Sequence, residues 1–218
     1  MKLNKTLLLI CSICFLFGAQ QAFGYEPLMY KVIIDASGSV SEQDFRATDA
    51  SVAEFVNVLY ERSQLHPGET AEFISISWFG SQDKFLSTPF YNCSHYNDIE
   101  ELKFVLNNAS HPGLGSTAIY TAIARGANEL LQAEKALGRS FPKFLILMTD
   151  GEDTDSPNDH KRIIKQLFPN NEIYLAVVGI GSANVGEFNS FADHVQNISN
   201  VEEFYALLVL LSEIIGNQ

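Results

Sequence analysis

Short apolar runs alternate with longer amphipathic stretches along most of this chain. Four runs are rich in Ile, Val, Leu and Phe and are bounded by Gly, Asp, Asn or Pro, which is typical of buried strands. They cover residues 29–34, 71–79, 144–148 and 173–178. We expect residues 84–90 to pair with the second run as a short antiparallel edge, because Gly80 and Ser81 can form the turn.

Apolar residues at three- and four-residue steps predict helices between these runs. The repeating positions of the first helix are Phe45, Thr48, Val52, Phe55 and Leu59. Ser41 and Asp44 make an acidic variant of a capping box at its start. A second helix over 116–136 groups on one side Ile119, Ala122, Ile123, Leu130 and Leu131. Shorter helical patterns cover residues 99–106, 160–167, 185–192 and 201–215.

Alternating strands and helices predict one domain, residues 25–218, of the α/β class. Because the apolar strand patterns are nearly continuous, the sheet should be doubly wound, mostly parallel and covered by helices on both faces, giving three layers with one antiparallel edge. Ligands of such sheets bind beyond the carboxyl ends of the strands, where strand order reverses. The residues that directly follow each strand are therefore the candidates for function.

The first 24 residues have the pattern of a secretory signal. Lys2 and Lys5 precede an apolar run over 7–17, and Ala22 and Gly24 supply small residues before the cleavage point. The run is shorter than the roughly 18 to 20 residues that a membrane span needs, so a signal is favoured over an anchor. We expect cleavage, no membrane insertion of the remaining chain, and a secreted or periplasmic location.

Charge and cysteine content restrict the partners. The chain has 14 Lys and Arg against 26 Asp and Glu, a net charge of −12, so it repels nucleic acid. Only Cys93 follows the predicted signal, so no internal disulfide can form in the processed chain. An exported domain without disulfides favours a bacterial origin. Cys93 is expected to be a buried, inert thiol, with pairing to another chain as the alternative.

Oxygen-bearing side chains follow the strands at three places. Asp35, Ser37 and Ser39 come after the first strand, Asp150 comes after the strand at 144–148, and Thr117 lies in a Gly-rich loop before the second long helix. Each pattern alone is common in turns and helix caps. Together they bring hard oxygen donors to one edge of the sheet, and these donors suit Mg²⁺, Mn²⁺ or Ca²⁺ and are poor for zinc.

These motifs resemble the von Willebrand factor A domain and its metal-ion-dependent adhesion site. The similarity extends over nearly the whole processed chain, including residues 177–181 at the family's fifth core strand. It implies that Ser37, Ser39 and Thr117 bind the ion through their hydroxyls, whereas Asp35 and Asp150 act largely through bound water. The loop around Thr117 departs from the commoner Gly-Gly-Thr-x-Thr-Gly pattern but retains the threonine.

The resemblance implies a protein-binding module that is not an enzyme, in which a partner's Asp or Glu completes the shell of the ion. One alternative is a metal-independent structural or assembly subunit. A Mg²⁺-dependent hydrolase is a weaker alternative, because no Lys or Arg is expected near the motifs: Lys143 begins a strand and Arg125 lies inside a helix. The acids at 152, 153, 155 and 159 lack calcium-loop spacing and are expected to form a solvated loop.

Overall fold

The computed structural model describes residues 27–66, 71–168, 172–200 and 202–215. The predicted signal, residues 1–24, lies outside these ranges. The strands are β1 (Met29–Asp35), β2 (Phe73–Phe79), β3 (Phe85–Ser87), β4 (Tyr91–Asn92), β5 (Lys143–Thr149), β6 (Ile173–Ile180) and β7 (His194–Ile198). The helices are α1 (Glu42–Leu65), α2 (Tyr96–Asn108), α3 (Ile119–Leu137), α4 (Asn158–Leu167) and α5 (Glu202–Ile215).

The strands form one sheet in the order β3-β2-β1-β5-β6-β7. Pairings among β2, β1, β5, β6 and β7 are parallel, whereas β3 and β4 both pair with β2 in the antiparallel direction. The predicted doubly wound α/β class is therefore confirmed. Strand order reverses between β1 and β5, so the carboxyl ends of these two strands form the expected ligand edge.

The antiparallel edge is divided into two short pieces. Residues Phe85–Ser87 pair with the end of β2, and β4 pairs with its beginning. Between them the Thr88 hydroxyl accepts from the backbone N–H of Ile76 at 3.0 Å, which takes the place of a ladder hydrogen bond. Pro89 has no N–H to continue the ladder, so the pairing stops there.

Alternate side chains of the central strand enter two separate cores. Tyr30, Val32 and Ile34 of β1 point to the side covered by α1, α2 and α5. Met29 and Ile33 point to the side covered by α3 and α4. The three-layer arrangement follows from this alternation, because each face of the sheet is apolar and must be covered.

The two long helices agree with their patterns, with one exception. All five repeating positions of α1 are buried, and Ser41 caps it by accepting from the N–H of Asp44. Helix α3 begins three residues later than expected and ends at Gly138, whose φ of 67° closes the last turn. Leu131 is 43% exposed, because the residue after buried Leu130 is turned by 100° to another face.

The carboxyl-terminal third of the chain differs most from expectation. The helix expected over 185–192 is a short 3₁₀ helix, Gly186–Ser190, and it is followed by strand β7, which the sequence analysis missed. β7 lies at the edge of the sheet and is half-exposed and polar, so it has no apolar run. Helix α5 packs on α1 through Phe204, Leu207, Leu208 and Leu211, as a docked terminal helix.

Among the described residues, none of the helices combines the length and the hydrophobicity that a membrane span requires. Cys93 is fully buried, as expected. Burial raises the pKa of this thiol well above its ordinary value, so the group stays protonated and unreactive.

A buried charged network joins α1 to the amino ends of β1 and β2. Arg62 donates to both carboxylate oxygens of Glu72 and, at 2.7 Å, to the Tyr30 hydroxyl. The Glu72 side chain is only 1% exposed. Because burial and the neighbouring Glu72 raise the pKa of Tyr30, its hydroxyl remains protonated and can donate to this carboxylate.

Replacement of Arg62 by Met should destabilise the fold by about 3 kcal/mol, because it removes the guanidinium that pairs with the buried Glu72 carboxylate. Urea denaturation gives the free energy of unfolding. The matched control is Arg46→Met, which removes an exposed pair with Glu42 and should cost less than about 1 kcal/mol. Equal losses in the two variants would contradict the role of this network.

Candidate metal centre

The candidate site lies at the carboxyl ends of β1 and β5. Asp35 is the last residue of β1, and Asp150 directly follows β5. The register pairs Ile34 with Met148, so Asp35 and Thr149 lie side by side. Parallel neighbours end at the same edge, which is why residues more than a hundred positions apart meet here.

Asp35 is fully buried, and neutral groups hold both of its oxygens. Oδ1 accepts from the backbone N–H of Ser37 at 2.9 Å, and Oδ2 accepts from the Thr149 hydroxyl at 2.6 Å. Burial raises the pKa of Asp35 and the charge of Asp150 adds to the rise, whereas the hydrogen bonds from Thr149 and Ser37 oppose it. Among the described residues, no Lys or Arg forms an ion pair with Asp35 or Asp150.

A chain of hydroxyls connects the first loop to Asp150. Ser39 donates to Asp150 Oδ1 at 3.0 Å, and the hydroxyl oxygens of Ser37 and Ser39 are 3.0 Å apart. Either serine hydroxyl can donate in this contact. A hydroxyl oxygen has two lone pairs, so both serines can also offer an oxygen to a cation.

Thr117 reaches this edge through its backbone. In its loop the carbonyl of Gly115 accepts from Gly38 N–H and the N–H of Leu114 donates to Ala36, both at 2.8 Å. The Thr117 carbonyl accepts from the N–H groups of Thr154 and Asp155 in the loop after β5. Thr117 is largely buried, and its hydroxyl has no hydrogen bond in the described structure. Direct hydrogen bonds thus join Asp35, Ser37, Ser39 and Asp150, whereas Thr117 is held beside them by its main chain.

The donor set fits a divalent cation. A buried carboxylate without a cationic partner is costly, and a bound ion would remove that cost. Three hydroxyls and two carboxylates are hard oxygen donors of the kind that Mg²⁺, Mn²⁺ and Ca²⁺ accept. No three described His, Cys, Asp or Glu side chains group as a metal cluster, and this site differs from such clusters because hydroxyls supply most of its donors.

Two residues that support the site had no assigned role in the sequence analysis. Thr149 orients Asp35, yet a threonine at the end of a strand carries no special signal. Gly80, expected only in a turn, lies against the loop of Thr117: a Cβ at this position would come within 2.3 Å of the Leu114 carbonyl oxygen. The Gly80 carbonyl also accepts from Ala118 N–H at 2.8 Å.

The expectation of a solvated acidic loop after β5 is wrong for Asp153, whereas Asp155 is half-exposed. The Asp153 side chain is 0% exposed and lies 2.6 Å from Lys161 Nζ. Asp155 accepts from the N–H of Gln82 in the turn between β2 and β3. These contacts hold the loop against its neighbours, and spacing alone does not reveal them because the partners come from other parts of the chain.

An open doubly wound sheet, covered on both faces and carrying oxygen donors at its switch point, defines a class of ligand-binding α/β domain. The family model described as "von Willebrand factor type A domain" matches residues 31–213. The chain belongs to this family, as the sequence motifs indicated.

The similar proteins come from distant sources. The human collagen alpha-6(VI) chain is 20% identical over 172 residues, which is 79% of this chain and 7% of the collagen chain. The solved von Willebrand factor type A structure from Catenulispora acidiphila has a TM-score of 0.62 at 20% identity and covers 84% of this chain and 42% of that chain. At such identities the structural likeness shows the fold alone.

Two further solved structures have the same fold. Proximal thread matrix protein 1 from the mussel byssus, with a zinc-occupied MIDAS motif, has a TM-score of 0.63 at 18% identity, covering 86% of this chain and 47% of that one. The pilus adhesin SpaC from Lactobacillus rhamnosus GG has a TM-score of 0.64 at 13% identity, covering 89% and 31%. This chain spans less than half the length of each of these relatives. The zinc of the byssus structure occupies the MIDAS motif of that protein.

Substitution of Gly80 by Ala should destabilise the protein by about 2 kcal/mol, because the new Cβ overlaps backbone of the loop that carries Thr117. Denaturant unfolding provides the measurement. Gly151→Ala is the matched control: it lies next to Asp150, but a Cβ there meets nothing within 4 Å. Its stability should stay within about 0.5 kcal/mol of the parent. A tolerated Gly80→Ala change would show that the loop can move away.

Proposed function

We propose that this chain is an exported protein-binding module that depends on a divalent metal. Asp35, Ser37, Ser39, Thr117 and Asp150 are the proposed metal residues, and Mg²⁺ is the proposed ion, with Mn²⁺ and Ca²⁺ as alternatives. The observation that carries the proposal is the hydrogen-bonded chain from buried Asp35 through Ser37 and Ser39 to Asp150, at an edge where no described cation pairs with either acid.

The chemistry of the donors explains what such a site would recognise. Hydroxyls carry no charge, and carboxylates that act through water neutralise only part of a divalent ion. A bound ion would supply an electrophilic position that a partner's Asp or Glu can fill. An acidic chain needs this bridge, because its net charge of −12 repels an acidic partner.

The proposal of export rests on the signal pattern of residues 1–24 and agrees with the nature of several relatives. These include a pilus adhesin and a byssus matrix protein, neither of which is named as an enzyme. The proposed class is accordingly a binding module without catalytic activity. A periplasmic or secreted bacterial protein fits the single thiol that follows the signal.

Asp150→Ala should weaken metal binding about 10- to 100-fold, because Asp150 orients Ser39 and supplies negative charge near the ion. Calorimetric titration of Mg²⁺, Mn²⁺, Ca²⁺ and Zn²⁺ into residues 25–218 measures this loss and identifies the preferred ion. The control is Asp159→Ala, which removes an equal charge from an exposed residue of α4 that pairs with Arg162. Equal affinities in the two variants would contradict the assignment of Asp150.

Binding of a peptide with a single Glu should depend on the metal. We expect saturable binding in Mg²⁺ that disappears in EDTA, in the Asp150→Ala variant, and when the Glu of the peptide is replaced by Gln. Fluorescence polarisation of a labelled Gly-rich peptide is a suitable measurement. Unchanged affinity in EDTA would refute metal-mediated recognition. If a natural partner also still binds the Asp150→Ala variant, the metal-independent assembly subunit is favoured.

A further inference from the structure

A recess opens next to the segments that support the candidate metal centre. It has a volume of about 520 Å³ and lies between the turn at 82–83, one side of α3 and the beginning of α4. We call it the Arg125 cleft, after the cationic side chain in its wall. This volume is within the range of about 300 to 1,000 Å³ of ordinary ligand sites, so one or two side chains can enter.

The Arg125 cleft and the metal centre share their supporting segments. The N–H of Gln82, in the cleft wall, donates to Asp155 Oδ2 at 2.9 Å, and the N–H of Asp155 donates to the Thr117 carbonyl at 3.1 Å. Thr121, also in the wall, lies in the first turn of α3, four residues after Thr117. A single partner segment that contacts the metal centre can therefore reach the cleft.

Arg125 lacks the acidic partner that its helix offers. Glu129 follows at the i+4 position, where an ion pair is normally favourable. Here Glu129 instead pairs with buried Lys31 at 2.5 Å and accepts from Ser87 at 2.8 Å. Within the described residues, no other acid lies within ion-pair distance of Arg125. The guanidinium therefore has no ion-pair partner among the described residues.

The guanidinium is held in place by neutral contacts. Its Nη2 donates to the Gln82 carbonyl at 2.9 Å, and the group lies over the Phe85 ring at 5.7 Å from the centroid. Arg has five N–H donors, so most remain available for a ligand. A fixed guanidinium with free donors is well suited to a carboxylate, because less rotamer entropy is lost on binding.

The other polar groups of the cleft are compatible with an anion. Nδ1 of His160 is hydrogen-bonded to the Thr121 hydroxyl, 3.0 Å away. The exposed Asn128 amide can donate a hydrogen bond to a ligand. Asp83 is the one acid in the wall, but it lies on an exposed turn, where solvent and salt screen its charge. Arg125 is the only Lys or Arg among the residues that line the cleft.

We propose that the Arg125 cleft binds a second acidic side chain of the partner that supplies the metal-binding carboxylate. This inference rests on the proposed function and makes it more specific: the module would recognise two acids at a defined spacing. The partner surface is accordingly an acidic protein segment, in which one carboxylate contacts the ion and the other forms an ion pair with Arg125.

Gly-rich synthetic peptides with one Glu, or with two Glu separated by one to four Gly, test the proposal in Mg²⁺. At one spacing the two-Glu peptide should bind about tenfold more tightly than the same peptide with Gln at the second position. In Arg125→Gln this preference should vanish while the single-Glu peptide still binds. Arg139→Gln is the control, since Arg139 also lies over a Phe ring but is exposed beyond the end of α3.

A second readout separates this inference from the metal proposal. The Arg125 Nε–Hε resonance should shift when two-Glu peptides are added, in EDTA as well as in Mg²⁺, and Gln peptides should leave it unchanged. If recognition does not depend on a metal but the cleft does bind an acid, EDTA leaves the affinity of the single-Glu peptide unchanged. The Arg125 resonance then still shifts when two-Glu peptides are added. No Arg125 response to acids under either condition, or a spacing preference that survives Arg125→Gln, would overturn the inference.

Discussion

The buried Asp35 carboxylate is the constraint on which the candidate site depends. It lies at the point where β1 and β5 end together, and its oxygens are occupied by the Ser37 N–H and the Thr149 hydroxyl. Both donors are neutral, so they fix the orientation of the carboxylate without cancelling its charge. The remaining hydroxyls then extend towards Asp150 as a continuous polar path. Strand register, loop conformation and charge are linked at this one residue.

In the proposed function, the residues around Asp35 and the bound ion have different chemical roles. The protein supplies oxygen atoms and negative charge, whereas the electrophile of the proposed function comes from a bound ion. Beside this acidic edge, Arg125 contributes the opposite charge from α3 because Lys31 engages Glu129. A buried lysine beneath the sheet edge thus changes the charge that the surface presents, although it is itself inaccessible. Neighbouring sites that both bind a carboxylate would be expected to select partners by the spacing of their acids as well as by charge.

Much of the architecture could be predicted from the sequence, since the central strands are apolar runs and the site residues directly follow them. Asp35, Ser37, Ser39 and Asp150 meet because parallel strands end at the same edge. β7 was missed because an edge strand with polar residues has no such run. The roles of Gly80 and Asp155 depend on contacts between distant loops, which single-sequence spacing does not encode.

The network of Arg62, Glu72 and Tyr30 lies at the amino ends of the strands, opposite to the candidate site. Tyr30 and Asp35 are five residues apart on β1, or roughly 16 Å. The two ends of the sheet can therefore be engineered separately. Tighter anchoring of α1 near Arg62 could raise the melting temperature without altering the recognition loops, and those loops could be diversified as in a library scaffold. Immobilisation through the Arg62 end would likewise leave the opposite face accessible to partners in a biosensor.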